Sequence, residues 1–510
     1  MKQPKNILLI TSDQQHWNTL GIDNPEVQTP NLDRLAREGT LFERAYCPNP
    51  TCTPTRSSMI TGLYPSQHGA WSLGTKLPED VPTIGQWLQA AGYDASLIGK
   101  AHFQQLRDTP EFPSLESYPL MRDLAFWKTF HGPFYGFNHL ETARNHADES
   151  HAGQHYALWM IEEGLKDWER HFQNRFQEFD MTDGGPVNPP QEHKWSLPER
   201  YHYNRWIAER TRARMEHCRD RGQPFFLWSS FLDPHPPYLV PEPWDTMYDP
   251  RTLTLPEMAP GEHDRNPPHF GKTQEADPDF SEWAGTYANH GFQSHLQDRE
   301  SLAKDVAVYY GMVSCMDKYI GQILDSLEEL GLAEDTLIVF TSDHGHCYGH
   351  HGLIAKGAFH YEDLIRVPFL VRMPGVVPEG KRSEALQSLV DLPQTFLEAC
   401  GLQEPRGLAG VSQWEVWRGA TEAVRNHVVV ENRHQEETLH LKTFVNSRYK
   451  ITTYYGKPYG ELFDLEADPG ETHNLWDDPG SQTLKADLLQ RLVHAEMGKE
   501  PVWMPRVTHA

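Results

Sequence analysis

Two apolar runs that close on the same three residues do most to limit what this chain can fold into. Asn6-Ile7-Leu8-Leu9-Ile10-Thr11-Ser12-Asp13 lies near its start, and Thr336-Leu337-Ile338-Val339-Phe340-Thr341-Ser342-Asp343 far along it. Each run is continuously apolar rather than alternating, the pattern of a parallel strand buried on both faces. In an open α/β sheet the ligand site lies beyond the carboxyl ends of the strands. Two strands that both end in Asp can therefore deliver both carboxylates to one place, which is a metal site in outline. The alternative is that each acid caps a following turn.

The sequence between the runs mostly alternates helix and strand. Asn31 to Glu43 predicts a helix with Leu32, Leu35, Ala36 and Phe42 near one face, Thr83 to Ala91 predicts another, and Tyr93 to Ile98 a strand. From Ser301 the residues Leu302, Val306, Tyr309, Val313, Met316, Ile320, Ile323 and Leu327 recur at helical spacing, a stripe that belongs to the core. Phe225 to Phe231, Arg366 to Val371 and Val428 to Val430 are further buried-strand candidates. The expected fold is α/β, a large mixed and mostly parallel sheet sandwiched by helices. Two segments break the alternation, about 104–200 and about 240–297, and both read as insertions that shape an entrance.

A chain of 510 residues exceeds what one core usually serves. Its character changes after about Thr421, where Leu441 to Tyr455 and Gly460 to Pro469 read as short strands with turns. The expected organisation is an α/β catalytic domain over 1–420 and a C-terminal subdomain over 421–510, a small antiparallel sheet with a closing helix. With 46 Lys+Arg against 71 Asp+Glu the net charge is −25, which argues against nucleic acid as a partner. An anionic small molecule stays allowed, because a few cations focused in a cleft outweigh a distant acidic surface. No apolar run approaches the ~20 residues needed to cross a bilayer, and Met1 to Asn6 leads straight into a strand with no signal-like apolar region. The expectation is a cytoplasmic protein, or one from which a signal has been removed, with no membrane partner; a homo-oligomer is left open.

The six cysteines, at 47, 52, 218, 315, 347 and 400, show no paired metal spacing and read as reduced thiols. Cys52 is set apart by its surroundings, Thr51-Cys52-Thr53-Pro54-Thr55-Arg56-Ser57-Ser58-Met59-Ile60-Thr61-Gly62. Pro54 fits the first turn of a helix that Gly62 ends, so free N–H groups and the positive dipole end face the Cys52 side chain. Such a place favours a thiolate or a bound oxyanion. Taken alone, the stretch leaves an inert buried cysteine equally open. Other segments also put polar residues just past an apolar strand: Gly99-Lys100-Ala101-His102, Leu232-Asp233-Pro234-His235, Asp343-His344-Gly345, His350-His351-Gly352 and Lys356-Gly357. Acids, a nucleophile, cations and imidazoles at strand ends form one site more economically than separate coincidences.

Cys52-x-Pro54-x-Arg56, continued by Thr61-Gly62-Leu63-Tyr64-Pro65, resembles the type I sulfatase signature of the alkaline phosphatase superfamily, in which the cysteine is oxidised to formylglycine. Gly99-Lys100-x-His102 and the Leu462-Phe463-Asp464-Leu465 phrase near the end extend the resemblance over nearly the whole chain, toward the branch that holds arylsulfatases and phosphonate monoester hydrolases. It implies an alkaline phosphatase-like fold and a divalent metal held by Asp13, Gln14, modified Cys52, Asp343 and His344. It further implies catalytic roles for Cys52, Arg56, Lys100, His102, His235 and Lys356, and a formylglycine-generating enzyme as a maturation partner. Many members carry Asp where this chain has Gln14, and Asn where it has His344. Oxygen ligands favour calcium, with magnesium or manganese as alternatives, and the imidazole makes manganese more acceptable.

The implied activity is hydrolysis of a small-molecule or saccharide sulfate ester. A hydrated formylglycine attacks sulfur, Arg56, Lys100 and Lys356 offset charge, and His235 or Lys356 protonates the leaving alcohol. His102 then removes the second hydroxyl's proton. The alternative within enzymes is a phosphonate monoester or phosphodiester hydrolase using the same residues. The alternative of another class is a non-catalytic binder of sulfated ligands.

Overall fold

The computed structural model describes residues 2–144, 152–172, 193–283, 291–435 and 438–508. The two Thr-Ser-Asp runs are adjacent parallel strands, Asn6–Ser12 and Thr336–Ser342, paired residue for residue from Asn6 opposite Thr336 to Ser12 opposite Ser342. They lie in an eight-stranded sheet in the order Lys381–Ser383, Thr40–Phe42, Phe369–Arg372, Thr336–Ser342, Asn6–Ser12, Phe225–Ser230, Asp94–Gly99, His139–Thr142. From Thr336–Ser342 to His139–Thr142 all pairings are parallel. Phe369–Arg372 runs antiparallel to both of its neighbours, which makes the sheet mixed.

Alternate residues of the central strands feed two cores, as the period of two requires. Leu8, Ile10, Leu227, Ile338 and Phe340 pack under the helices Pro30–Arg37, Tyr203–Arg221 and Arg299–Glu329. Ile7, Leu9, Phe226, Trp228, Leu337 and Val339 pack under Cys52–Thr61, Ile84–Ala90 and Leu392–Ala399. The helical layers thus cover both faces, and the carboxyl ends of the strands share one edge.

Three expectations need correction. The helix predicted over 31–43 stops at Arg37, and Thr40–Phe42 is a strand of the main sheet. Gly39 lies so close to the Val371 carbonyl that a Cβ would stand 2.2 Å from its oxygen, so the chain turns there to join its strand partner. The 366–371 run is broken at Pro368: Arg366–Val367 joins a separate small sheet with Ala45–Tyr46, and Phe369–Arg372 joins the main one. Val428 to Val430 do form a buried strand, and they open Val428–Gln435 of the C-terminal sheet. The 104–200 segment is not wholly an insertion, since it supplies the edge strand His139–Thr142 and the helix Gln154–Glu162. Parts of both predicted insertions lie outside the described residues.

The C-terminal strands Val428–Gln435, Leu439–Val445, Tyr449–Tyr454 and Gly460–Asp464 form an antiparallel sheet, and the helix Gln482–Gly498 buries Leu488, Leu492 and Ala495 against it. This sheet reaches the site edge. Glu431 N–H donates to Pro48 O at 2.8 Å, Asn49 Nδ2 donates to Glu431 O at 2.7 Å, and Asn432 Nδ2 donates to Gly357 O at 3.3 Å. No helix among the described residues is long and apolar enough to cross a membrane.

Candidate active site

The helix Cys52–Thr61 starts at Cys52 itself, after an extended Thr51, and ends at Gly62, which is left-handed (φ 68°) and donates its N–H to Ser58 O at 2.9 Å. Cys52 is buried at the positive end of this helix, beside the carboxyl edge of the sheet. Its Sγ lies 3.1 Å from Lys356 Nζ, 3.2 Å from His344 Nε2, 3.7 Å from Asp13 Oδ1 and 3.9 Å from Lys100 Nζ. Burial and the Asp13 carboxylate push the Cys52 thiol up, but Lys100 and Lys356 outweigh them and the net displacement is downward. Cys47, Cys315 and Cys347 go the other way, held well above the ordinary thiol range first by burial. Position 52 is therefore built for an anion where those three are core residues.

Asp13, Cys52, Asp343 and His344 offer ligand atoms that all lie within 4.8 Å of one another, and all four residues are buried. The strand register brings the two aspartates together, each one residue past Ser12 and Ser342. His344 Nδ1 lies 2.9 Å from the Gly345 carbonyl, which can only accept, so Nδ1 carries a proton and Nε2 is the ring nitrogen left to face the cluster. That is the tautomer a metal ligand needs, with the backbone carbonyl as its outer partner. Gln14 N–H donates to Asp343 Oδ1 at 3.0 Å, and the buried Gln14 Oε1 has no hydrogen-bond partner among the described residues. Two carboxylates, an imidazole lone pair and an unsatisfied amide oxygen suit a divalent cation.

Arg56, one turn after Cys52 and fully buried, ties the cluster together. Its Nε donates to Asp343 Oδ2 at 2.8 Å and its Nη1 to Lys100 O at 2.9 Å and Ser230 Oγ at 2.8 Å, while Nη2 lies 3.6 Å from Asp13 Oδ2. Lys100 Nζ donates to Asp13 Oδ2. Lys356, also buried, has no carboxylate partner among the described residues and lies between Cys52 Sγ and His235 Nε2, 2.8 Å from the latter. His235 Nδ1 lies against the Pro236 carbonyl, so it is the Nε2 lone pair that accepts from Lys356. His102 sits two residues past Lys100 in the left-handed region (φ 60°), with its N–H donated to Glu116 Oε1 at 2.7 Å and no partner for Nδ1 among the described residues. Burial, then Arg144, Lys100 and Arg56, hold His102 well below the ordinary imidazole range, so it is neutral.

Several supporting residues escape sequence reasoning. Ser230 receives Arg56, Glu116 braces the 102–104 backbone, and Asp233 accepts the Asp13 N–H through its carbonyl at 3.0 Å while its carboxylate accepts from Tyr203 and Asn204. His346, two residues past His344, meets Gln14 and Tyr238, and only that spacing hinted at it. Conversely, His350 and His351 do not join the Cys52 cluster. They meet His16 around Asp363: His16 Nε2 at 2.7 Å and His350 Nδ1 at 3.5 Å from Oδ1, and His351 Nε2 at 3.0 Å from Oδ2. The grouping resembles a metal cage, but His16 Nδ1 accepts the Asn18 N–H at 3.0 Å, which leaves its proton on Nε2 for Asp363. It is a hydrogen-bonded ionic knot.

The chain matches the Sulfatase family over residues 5–402, and a family described as N-sulphoglucosamine sulphohydrolase, C-terminal, over 349–498. It is 28% identical to an arylsulfatase from Clostridium perfringens over 476 residues, 92% of this chain and 90% of that protein. It is also 28% identical to a multifunctional alkaline phosphatase superfamily protein from Trinickia caryophylli over 526 residues, 96% of each. The solved phosphonate monoester hydrolase from Silicibacter pomeroyi is similar with a TM-score of 0.76 and 26% identity, covering 99% of this chain and 98% of that one. By the extent of that family match, and with the strand order and the residues around Cys52 in agreement, the chain belongs to the sulfatase family.

Proposed function

We propose that this protein hydrolyses sulfate monoesters of small molecules or saccharides, with Cys52 converted to formylglycine by a modifying enzyme and one divalent cation held by Asp13, Gln14, Asp343 and His344. The observation that carries the reading is the position of the Cys52 side chain, at a helix N-terminus, against Asp13, Asp343 and His344 and 3.1 Å from Lys356 Nζ. Hydrated formylglycine would supply one hydroxyl to attack and a second to expel the sulfate. The cation, when bound, would act as a Lewis acid toward the ester oxygens and acidify the attacking hydroxyl. One nitrogen among oxygen donors moves its preference from calcium toward manganese.

The chain's own residues do the rest. Arg56 and Lys100 fix the two carboxylates and add positive potential where charge develops on the sulfuryl oxygens. Lys356 holds a proton next to the reacting atom and donates it to the leaving oxygen, and His235 steadies that ammonium through its Nε2 lone pair. His102 is kept neutral and can accept the proton released in the second half of the reaction. With two of the three cations engaged by carboxylates, the site suits a singly charged ester better than a phosphate monoester, which carries about two charges near neutral pH.

His344 and Gln14, together with the likeness to a phosphonate monoester hydrolase structure, favour one second reading, hydrolysis of phosphonate monoesters or phosphodiesters at this same site. Matched p-nitrophenyl esters compared by kcat/KM on metal-loaded, modified protein test both. The expected order is sulfate, then phosphonate monoester or phosphodiester, then phosphate monoester. A phosphonate or diester ahead by orders of magnitude replaces the first reading with the second, and a phosphate monoester in the lead removes both.

A further inference from the structure

We propose that His346 and Tyr238 are positioning residues that fix the amide of Gln14 with its oxygen toward the metal site. The inference rests on the metal reading above. Gln14 is a non-glycine residue in the left-handed region (φ 60°), a conformation that persists only where its surroundings over-determine it. Its backbone is held at both ends: the N–H donates to Asp343 Oδ1 at 3.0 Å, and the C=O accepts from Tyr309 OH at 3.0 Å. Its side chain is held at one atom, Nε2, which lies 3.0 Å from His346 Nδ1. The other atom, Oε1, is buried with no partner among the described residues.

An amide can face a cation only through its oxygen, so Nε2 must be the atom turned to His346. The NH₂ group only donates, so His346 Nδ1 accepts, and the imidazole proton resides on Nε2, where it is donated to the Tyr238 oxygen at 2.5 Å. The opposite tautomer would accept Tyr238 at Nε2, draw Oε1 to a protonated Nδ1 and aim the NH₂ at the cation. His346, buried between the two partners, thus selects which end of the amide is presented, much as an outer carbonyl fixes a ligating histidine.

Mn²⁺ affinity of the full-length protein, measured by titration calorimetry after removal of metal, tests this without reference to turnover. His346→Leu should weaken binding by about 10- to 100-fold, the usual consequence of losing an outer-shell partner. His346→Asn, which places an amide oxygen near the former Nδ1, should recover most of the loss. Gln14→Leu should weaken binding similarly, and Gln14→Leu combined with His346→Leu should be no weaker than Gln14→Leu alone, since the two act through one ligand. If His346→Leu does not fold, Tyr238→Phe carries the test with an expected loss of about threefold or more, because it strips the buried Nε2–H of its acceptor and so favours the tautomer that turns the amide around. Wild-type affinity in His346→Leu, or in Tyr238→Phe when that variant carries the test, overturns the inference, as do additive losses in the double variant or an Asn variant as weak as Leu. No Mn²⁺ binding by the wild type overturns the metal reading and this inference with it.

Discussion

At the scale of the residue, the site is a set of buried charges whose worth lies in their mutual arrangement. Removing one partner of a buried ion pair leaves the other uncompensated, typically at about 3–5 kcal/mol. Arg56→Leu is therefore expected to lower stability by that order and to lose metal binding and activity together, read by denaturant unfolding and calorimetry, because Arg56 meets both carboxylates. Lys356→Ala should behave differently. If Lys356 protonates the leaving oxygen, its loss should slow an alkyl sulfate by about 10²-fold or more and p-nitrophenyl sulfate much less, since nitrophenolate leaves without a proton. Equal losses on the two esters would remove Lys356 from that role. Asp13, Asp343 and Cys52 are legible in the sequence because each closes or opens a regular element. His346, Tyr238 and Glu116 are not, because their roles come from loops meeting across the fold rather than from any local pattern.

At the scale of the element, strand register and close backbone approach decide where the side chains arrive. Lys100 follows Gly99, whose φ is 106° and where a Cβ would stand 1.9 Å from Ser230 O in the neighbouring strand. Gly99→Ala is expected to destabilise by more than about 3 kcal/mol, from strain and clash together, and to displace Lys100. Thermal unfolding and the activity of whatever folds will show it. The ionic knot beyond the site sets a pH dependence. Burial pulls His351 down, but Asp363 and Glu262 outweigh it and hold it at about 9. A raised imidazole pKa contributes stability that is complete below about pH 6.5 and lost as pH rises through about 9. The unfolding free energy should fall across that window in the wild type, by an amount on the order of 2 kcal/mol, as denaturant titrations at several pH values will show. His351→Asn should be less stable at pH 6.5 and nearly flat above it, and an unchanged slope would exclude the knot as its source. The long helix, the central strands and the capped helix after Thr83 are legible because periodicity and caps are local signals. The end of the first helix is not, because sheet pairing overrides helical pattern at Thr40–Phe42, nor is the split at Pro368, whose two flanking strands pair in different sheets.

At the scale of the whole molecule, the main sheet gathers residues from most of the chain at one edge, and the C-terminal sheet closes beside it through Glu431 and Asn432. The sheet with helices on both faces was legible from the alternation of elements, whereas the edge strand His139–Thr142 was hidden in a segment without clean periodicity. Since Asp13, Asp343 and His344 converge as ligand atoms suited to one divalent cation, exhaustive chelation is expected to abolish turnover and lower the unfolding midpoint, and added Mn²⁺ should restore both. Full activity after chelation would remove the metal from the account. The central claim is that position 52 carries the nucleophile as an oxidised cysteine, and the mass of the peptide containing residue 52, from a preparation that turns over, tests it most directly. The account predicts formylglycine, wholly or in part, with activity rising in proportion to it. An active preparation that holds only unmodified Cys52 would contradict it.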